Sequence, residues 1–216
     1  MKVLIATGLK REAKVMAGPG VTVIAGGGDG RRLEREMEAA STNAELIISS
    51  GLAGGLDPGL AVGDIVLDGP IELVAKLRTM LPEANVGPVL GSDIPISSIA
   101  GKEEARRSGA LAVDMESHIA RRVAARRGLP CLVARIISDG ASQLLPPAAL
   151  AGMRRDGGIA LGAVLTSLAL HPGQLPALLR IAGDARIALG ALGRLHHVLR
   201  SGAITGLDLR ELKLDV

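Results

Sequence analysis

Short apolar runs alternate with amphipathic stretches along the first two thirds of the chain. "KVLIATG" (2–8), "VTVIAGG" (21–27) and "AELIISSG" (44–51) are runs of the kind that buried strands show, and Gly51 is expected to stop the third. "VGDIVLD" (62–68), "IELVAK" (71–76), "ALAVD" (110–114) and "LPCLVARIIS" (129–138) read as further strands. Between them "KREAKVMA" (10–17) and "GRRLEREMEAAS" (30–41) read as helices, the second with Leu33 and Met37 at helical spacing. Another helix follows "ALAVD" and runs to Arg127. After Asp139 the character changes: "GASQLLPPAALAGMRRDGG" reads as a loop around Pro146 and Pro147. An apolar helix over 158–170 and an amphipathic helix over 174–200 follow. On the last helix Leu178, Ala182, Ala185, Leu189, Leu192 and Leu199 keep the helical period, with Arg180, Arg186, Arg194 and Arg200 elsewhere. The pattern predicts one α/β domain over 1–216, with a mixed central β-sheet flanked by helices.

Composition narrows what such a domain can do. The 216 residues are 48% hydrophobic and include no Phe, Tyr or Trp, so the core must be Leu, Ile, Val, Ala and Met. A ring ligand cannot stack on an aromatic side chain of its own subunit. The formal charge is +3, and the pairs Arg121–Arg122 and Arg126–Arg127 read as a solvated helix face. Without aromatics or a dense basic patch, no nucleic-acid partner is expected. The single cysteine, Cys131, sits among apolar residues and reads as a core position. The first strand begins directly after Met1, and no apolar run approaches the roughly 20 residues of a spanning helix. The expectation is a cytoplasmic protein without a metal. The basic amphipathic helix over 174–200 packs on the core, touches another subunit, or meets lipid at the inner membrane surface.

Three segments place polar groups at strand ends, where open α/β sheets bind ligands. In "ATGLKREAK", Gly8 ends a strand and Lys10, Arg11 and Glu12 head a helix, which suits an anion or a carboxylate orienting a water. "SSGLAGGLDPGLAVGDIVL" (49–67) carries Gly51, Gly54, Gly55, Gly59 and Gly63 and can form a backbone-lined loop. It is neither a Walker loop nor a dinucleotide fingerprint. "AVDMES" and "ARIISDGAS" bring Asp114, Met115, Glu116 and Asp139 to strand ends. Glu116 can accept two hydroxyl hydrogen bonds, as a ribose offers. Met115 can pack on a sugar ring, and Asp139 can donate a proton to a leaving group. Asp114 reads as a cap for the helix after it.

Taken in order, "GLKREA", "GLAGGLDPGLAVGDIV", "AVDMES" and "VARIISDGAS" resemble the purine nucleoside phosphorylase and nucleosidase superfamily, in its methylthioadenosine/S-adenosylhomocysteine nucleosidase branch. With "RIISDGASQLLPPA" and the tail "PGQLPALLRIAGDARIALGALGRL", the chain looks most like the hopanoid-biosynthesis-associated phosphorylases. The resemblance implies a homo-oligomer, a dimer or larger, that cleaves the N-glycosidic bond of an adenine nucleoside. Adenosylhopane is the implied substrate; methylthioadenosine, S-adenosylhomocysteine or simple purine nucleosides are the alternative. By position, Asp139 matches the general acid at purine N7 and Glu12 the carboxylate that orients water in hydrolytic members. Glu116 matches the ribose ligand and Met115 the residue under the sugar. Arg135 and Ser138 line the site near nucleophile and base, and Gly8 and Gly54 complete the substrate contacts. No cofactor is implied, with inorganic phosphate as the alternative co-substrate to water. Leu52 stands where the family carries a hydroxyl residue, which removes a ligand for phosphate or water, and the usual flanking aromatics are absent.

Overall fold

A computed structural model of the chain describes residues 2–151, 158 and 160–200. The apolar runs become β1 (Val3–Thr7), β2 (Val21–Ala25), β3 (Leu46–Gly55), β4 (Ile65–Asp68), β7 (Ala112–Asp114) and β8 (Cys131–Asp139), with short β5 (Asn85–Val86) and β6 (Val89–Gly91). They form an eight-stranded sheet in the order β2-β1-β3-β8-β4-β5; β7 also joins β3, and β6 joins β7. The sheet is mixed: β1, β2, β3 and β8 run parallel, while β4 meets β8 antiparallel and β7 meets β3 antiparallel.

The central strands are continuously apolar because both faces are covered, and side chains alternate between them. On one face Val3, Ile5, Leu46, Ile48, Leu132 and Ile136 pack against three helices: α1 (Lys10–Met16), α3 (Ile71–Met80) and α8 (Leu175–Val198). On the other, Leu4, Ala6 and Ile47 meet Leu33 and Met37 of α2 (Gly30–Ala40) and Ile119, Ala120 and Val123 of α5 (Ser117–Arg127). Three further helices are α4 (Ile99–Arg106), α6 (Pro147–Ala151) and α7 (Leu161–Leu170).

Several expectations need correction. "IELVAK" is not a strand but the start of α3: Leu73, Val74 and Leu77 are buried, a helical spacing, while Ile71 is exposed. A short apolar run carries little periodicity, and only the neighbouring sheet face decides which way it folds. Gly51 does not end β3. The strand continues through "LAGG" because β8 pairs with it as far as Gly54 and β7 with Gly54 and Gly55. The span read as a loop after Asp139 contains α6; residues 152–157 of that span lie outside the described residues. On α8 the buried positions are Ala188, Ala191, Leu192, Leu195 and His196, with Leu199 just past its end, not the longer stripe expected, and Ala182 is exposed. Arg180, Arg186 and Arg194 of that helix and Arg200 just past its end are exposed, as the periodicity predicts.

The arginines of α5 are engaged rather than merely solvated. Arg122 and Arg126 both pair with Glu34 of α2, Arg126 also pairs with Glu38, and Arg121 with Asp68 at the end of β4. Arg122, then Arg126, hold the Glu34 carboxyl down to about 2. Cys131 packs half-buried beside the α2–α5 cluster, less deeply than expected, and desolvation pushes its thiol up to about 12. Among the described residues no helix is long and apolar enough to cross a membrane.

Candidate active site

β3 exchanges partners along one edge. It pairs with β1 through residues 46–49 and with β7 at Gly54 and Gly55, while β8 follows its opposite edge throughout. The stretch between, Ser50 to Ala53, faces a notch in the sheet. Chain reversals of this kind are where α/β sheets form ligand crevices. Thr7 and Gly8 enter the notch from the end of β1, Asp114 to Glu116 from the end of β7, and Arg135 from β8 beside Gly51.

Glu12 is the first polar centre. It sits in the first turn of α1, 2% exposed, with its carboxylate turned back to the strand ends. One oxygen accepts from the Thr7 hydroxyl at 2.5 Å, Gly8 N at 3.0 Å and Leu9 N at 2.9 Å; the other accepts from Leu52 N at 3.1 Å. Gly51 makes this possible. Its φ is +148°, and a Cβ there would lie 2.8 Å from Glu12 Oε2, 2.9 Å from Thr7 Oγ1 and 3.0 Å from Arg135 Nη1. The leucine at position 52 offers no hydroxyl, but its backbone N–H anchors the carboxylate.

Arg135 is the second centre and is fully buried. Its Nε lies 2.5 Å from Asp114 Oδ2 in an ionic contact without hydrogen-bond direction. Nη2 donates to Ser49 Oγ at 2.6 Å and stands 3.4 Å from Glu116 Oε2, while Nη1 has no hydrogen-bond partner. The other oxygen of Asp114 accepts from Ser117 N at 3.0 Å and Ser117 Oγ at 2.7 Å, so Asp114 supports the start of α5 as its position suggested.

Glu116 closes this group, 6% exposed. Burial, followed by the charges of Asp114 and Glu12, pushes its carboxyl up to about 7, although Arg135 pulls the other way. Two carboxyl groups, Asp114 and Glu116, thus meet one guanidinium, and Glu12 lies across Gly51 from it. Gly8 leaves room for them: a Cβ there would lie 3.1 Å from Glu116 Oε1 and 3.5 Å from Glu12 Oε2. Met115, half-buried, lines a small cleft with Glu116, Gly26, Gly28 and Leu33. Beside it His118 Nε2 lies 3.0 Å from Asp93 Oδ1.

Asp139 forms a second group at the far end of the notch. The β3–β8 register runs from Ala53 opposite Ile137 directly to Gly54 opposite Asp139, which leaves Ser138 as the extra residue of a bulge. A bulge reverses the side-chain alternation and re-aims the side chain after it. The Asp139 carboxylate thereby faces Gly54, whose absent Cβ would lie 3.3 Å from it. Ser138 Oγ approaches Asp139 Oδ1 at 2.8 Å and the Ala53 carbonyl at 3.2 Å. The other Asp139 oxygen is held by Lys102, a residue 1% exposed that sequence reasoning missed. In "GKEEARRSG" that lysine looks like one more solvated helix charge, and it lies 37 residues from its partner. Gly51 and Gly54 are three residues apart on β3, about 10 Å for extended chain, so the two groups flank one strand segment.

The structure therefore gathers Gly8, Glu12, Glu116 and Arg135 at one end of the notch and sets Gly54, Ser138 and Asp139 at the other, with Met115 on the outer wall. A separate cavity of about 370 Å³ lies at the opposite strand ends, lined by Lys2, Gly20, Thr22 and Asn43, and has no carboxylate in its lining.

The sequence model of the Phosphorylase superfamily matches residues 71–164, somewhat under half of the chain. No curated protein matches the sequence. Among solved structures, the 5′-methylthioadenosine/S-adenosylhomocysteine nucleosidase from S. pneumoniae, in complex with a transition-state inhibitor, superimposes with a TM-score of 0.61 at 17% identity, covering 92% of this chain and 100% of that one. This chain has the nucleosidase fold. The S-adenosylhomocysteine nucleosidase of Streptococcus pyogenes gives 0.61 at 16% identity, with 90% and 95% covered. The futalosine hydrolase of Helicobacter pylori gives 0.56 at 18%, with 64% and 88% covered. This chain thus shares its fold with proteins whose sequences agree with its own at fewer than one position in five.

Proposed function

We propose that this chain is an enzyme that cleaves the N-glycosidic bond of a purine nucleoside and releases the base. The observation that carries the reading is the notch itself: buried Glu12, Arg135 and Glu116 at one end and bulge-aimed Asp139 at the other, on a nucleosidase fold. Glu116 receives the ribose hydroxyls with Met115 beneath the ring. Asp139 protonates the base at N7 as the bond to C1′ breaks, with Ser138 bracing its carboxyl. Glu12 orients the nucleophile, and the strand-end backbones at Gly8 and Gly54 allow the nucleoside close approach.

Water is the better nucleophile on charge grounds. Both buried cations around the notch are engaged, Arg135 by Asp114 and Glu116 and Lys102 by Asp139, whereas Lys10 and Arg11 are exposed. A phosphate dianion would have to compete for cations already paired with carboxylates. Adenine release should therefore proceed in phosphate-free buffer and yield free sugar. A strict requirement for phosphate, with a sugar 1-phosphate as product, would overturn hydrolysis. Asp139→Asn should lower kcat by at least about 100-fold with a small change in KM, the scale of a positioned general acid.

For the substrate, an adenosine with a large apolar 5′ substituent such as adenosylhopane fits an apolar interior built without Phe, Tyr or Trp and the hopanoid-phosphorylase resemblance; methylthioadenosine or S-adenosylhomocysteine is the second reading. Adenine release from each, measured side by side, separates them. A cytoplasmic homo-oligomer with peripheral lipid contact is the setting this reading carries, and the apolar surface of α7 supports it, with Leu161, Leu165 and Leu170 all exposed.

A further inference from the structure

Lys102 is among the largest fully buried side chains of the protein, and a buried ammonium is costly unless its hydrogens are all received. Here they are. Nζ donates to Asp139 Oδ2, to the Gly140 carbonyl at 2.7 Å and to the Gln143 carbonyl at 3.3 Å. Three oxygens for three hydrogens is the arrangement of a protonated amine. The loop that supplies two of them is fixed in turn: Gln143 Oε1 accepts from Gly140 N, its Nε2 donates to Asp184 of α8, and Leu145 N donates to the Ser97 carbonyl just ahead of α4. Helix α4 thus stands in this molecule with its one buried cation pressed onto the carboxylate at the end of β8.

The geometry points to Lys102 as a positioning residue for the proton donor, holding the Asp139 carboxyl against Gly54 and neutralising the charge it acquires in the reaction. This rests on the reading of Asp139 as the general acid. In the step, the C1′–N9 bond breaks and its electron pair goes to the base. The carboxyl proton of Asp139 forms the N7–H bond, leaving a carboxylate paired with the Lys102 ammonium, which keeps its three protons. Water adds its oxygen to C1′ and releases the proton that restores the acid. The ion pair between Lys102 and Asp139 is the arrangement reached after proton transfer, so the ammonium favours the charge distribution toward which the reaction moves.

The test is a pH profile of adenine release by Lys102→Met. Without the ammonium, kcat should fall by about 10- to 100-fold. The alkaline limb should move up by at least about one pH unit, since a carboxyl relieved of a neighbouring cation keeps its proton to higher pH. KM should change less than threefold, because Lys102 does not face the sugar group, and Lys102→Arg should restore the limb. An unmoved alkaline limb in a folded Lys102→Met protein overturns the assignment. If that variant does not fold, Lys102→Gln makes the same comparison. Failure of the underlying reading looks different: Asp139→Asn would retain wild-type turnover, whatever Lys102 variants do.

Discussion

Glu116 shows how one side chain takes its character from three neighbours. A glutamate on a helix head would ordinarily ionise near 4.5; here burial and the charges of Asp114 and Glu12 outweigh Arg135 and carry it to about 7. In the unfolded chain the carboxyl loses its proton near the ordinary value, whereas the folded protein holds it to about 7. The unfolded state therefore binds fewer protons between those values, and stability falls as pH rises through that window, then levels off. Glu116→Gln removes this titration. Wild type should lose roughly 3 kcal/mol relative to the glutamine variant between pH 4.5 and 7, read from denaturant midpoints at a series of pH values. Parallel stability curves for the two proteins would refute the elevated carboxyl. Identity at these residues was legible in "AVDMES" and "RIISD"; charge state was not, because it depends on groups from α1, β7 and β8 meeting.

At the scale of elements, α7 stands apart. None of its residues is buried, yet "LGAVLTSLAL" carries no charge, and Leu165 is 64% exposed. The first turns of α8 continue the surface, with Leu179 65% exposed, and Arg180 and Arg186 beside it. Apolar helices flanked by arginine suit an anionic lipid surface. Wild-type protein should co-sediment with phosphatidylglycerol-containing vesicles, and Leu165→Glu combined with Leu179→Glu should abolish this without lowering Tm, since both positions are exposed. Wild type remaining in the supernatant would end the lipid reading. Periodicity located this surface in part. It assigned the four arginines correctly, but it extended the buried stripe too far toward the start of α8, because hydropathy marks what can be buried and not what has a partner. The same limit misassigned "IELVAK". Its residues suit either a strand or a helix, and the open sheet face beside Leu73 and Leu77 selected the helix.

For the whole molecule, the site is assembled from nearly the full length of the described chain: Glu12 from α1, Gly51 to Gly54 from β3, Lys102 from α4, Glu116 ahead of α5 and Asp139 from β8. Occupying it should bind these pieces together. A non-cleavable adenosine analogue at about 100 times its Kd should add roughly 2.7 kcal/mol of stability. Thermal melts should then rise by several degrees for wild type and hardly at all for Glu116→Gln, which would separate site occupancy from non-specific binding.

By itself the sequence determined the alternation that makes an α/β sheet with both faces covered. It also determined which polar residues sit at strand ends and the resemblance carried by four short motifs. Those are local properties, set by side-chain period and by neighbours within a few positions. Tertiary structure decided the continuation of β3 past Gly51, the helix at Ile71–Met80, the bulge that aims Asp139 and the burial of Lys102 against it. Each of these depends on a partner far along the chain. Pairing energy, desolvation and charge act between residues that only folding makes adjacent.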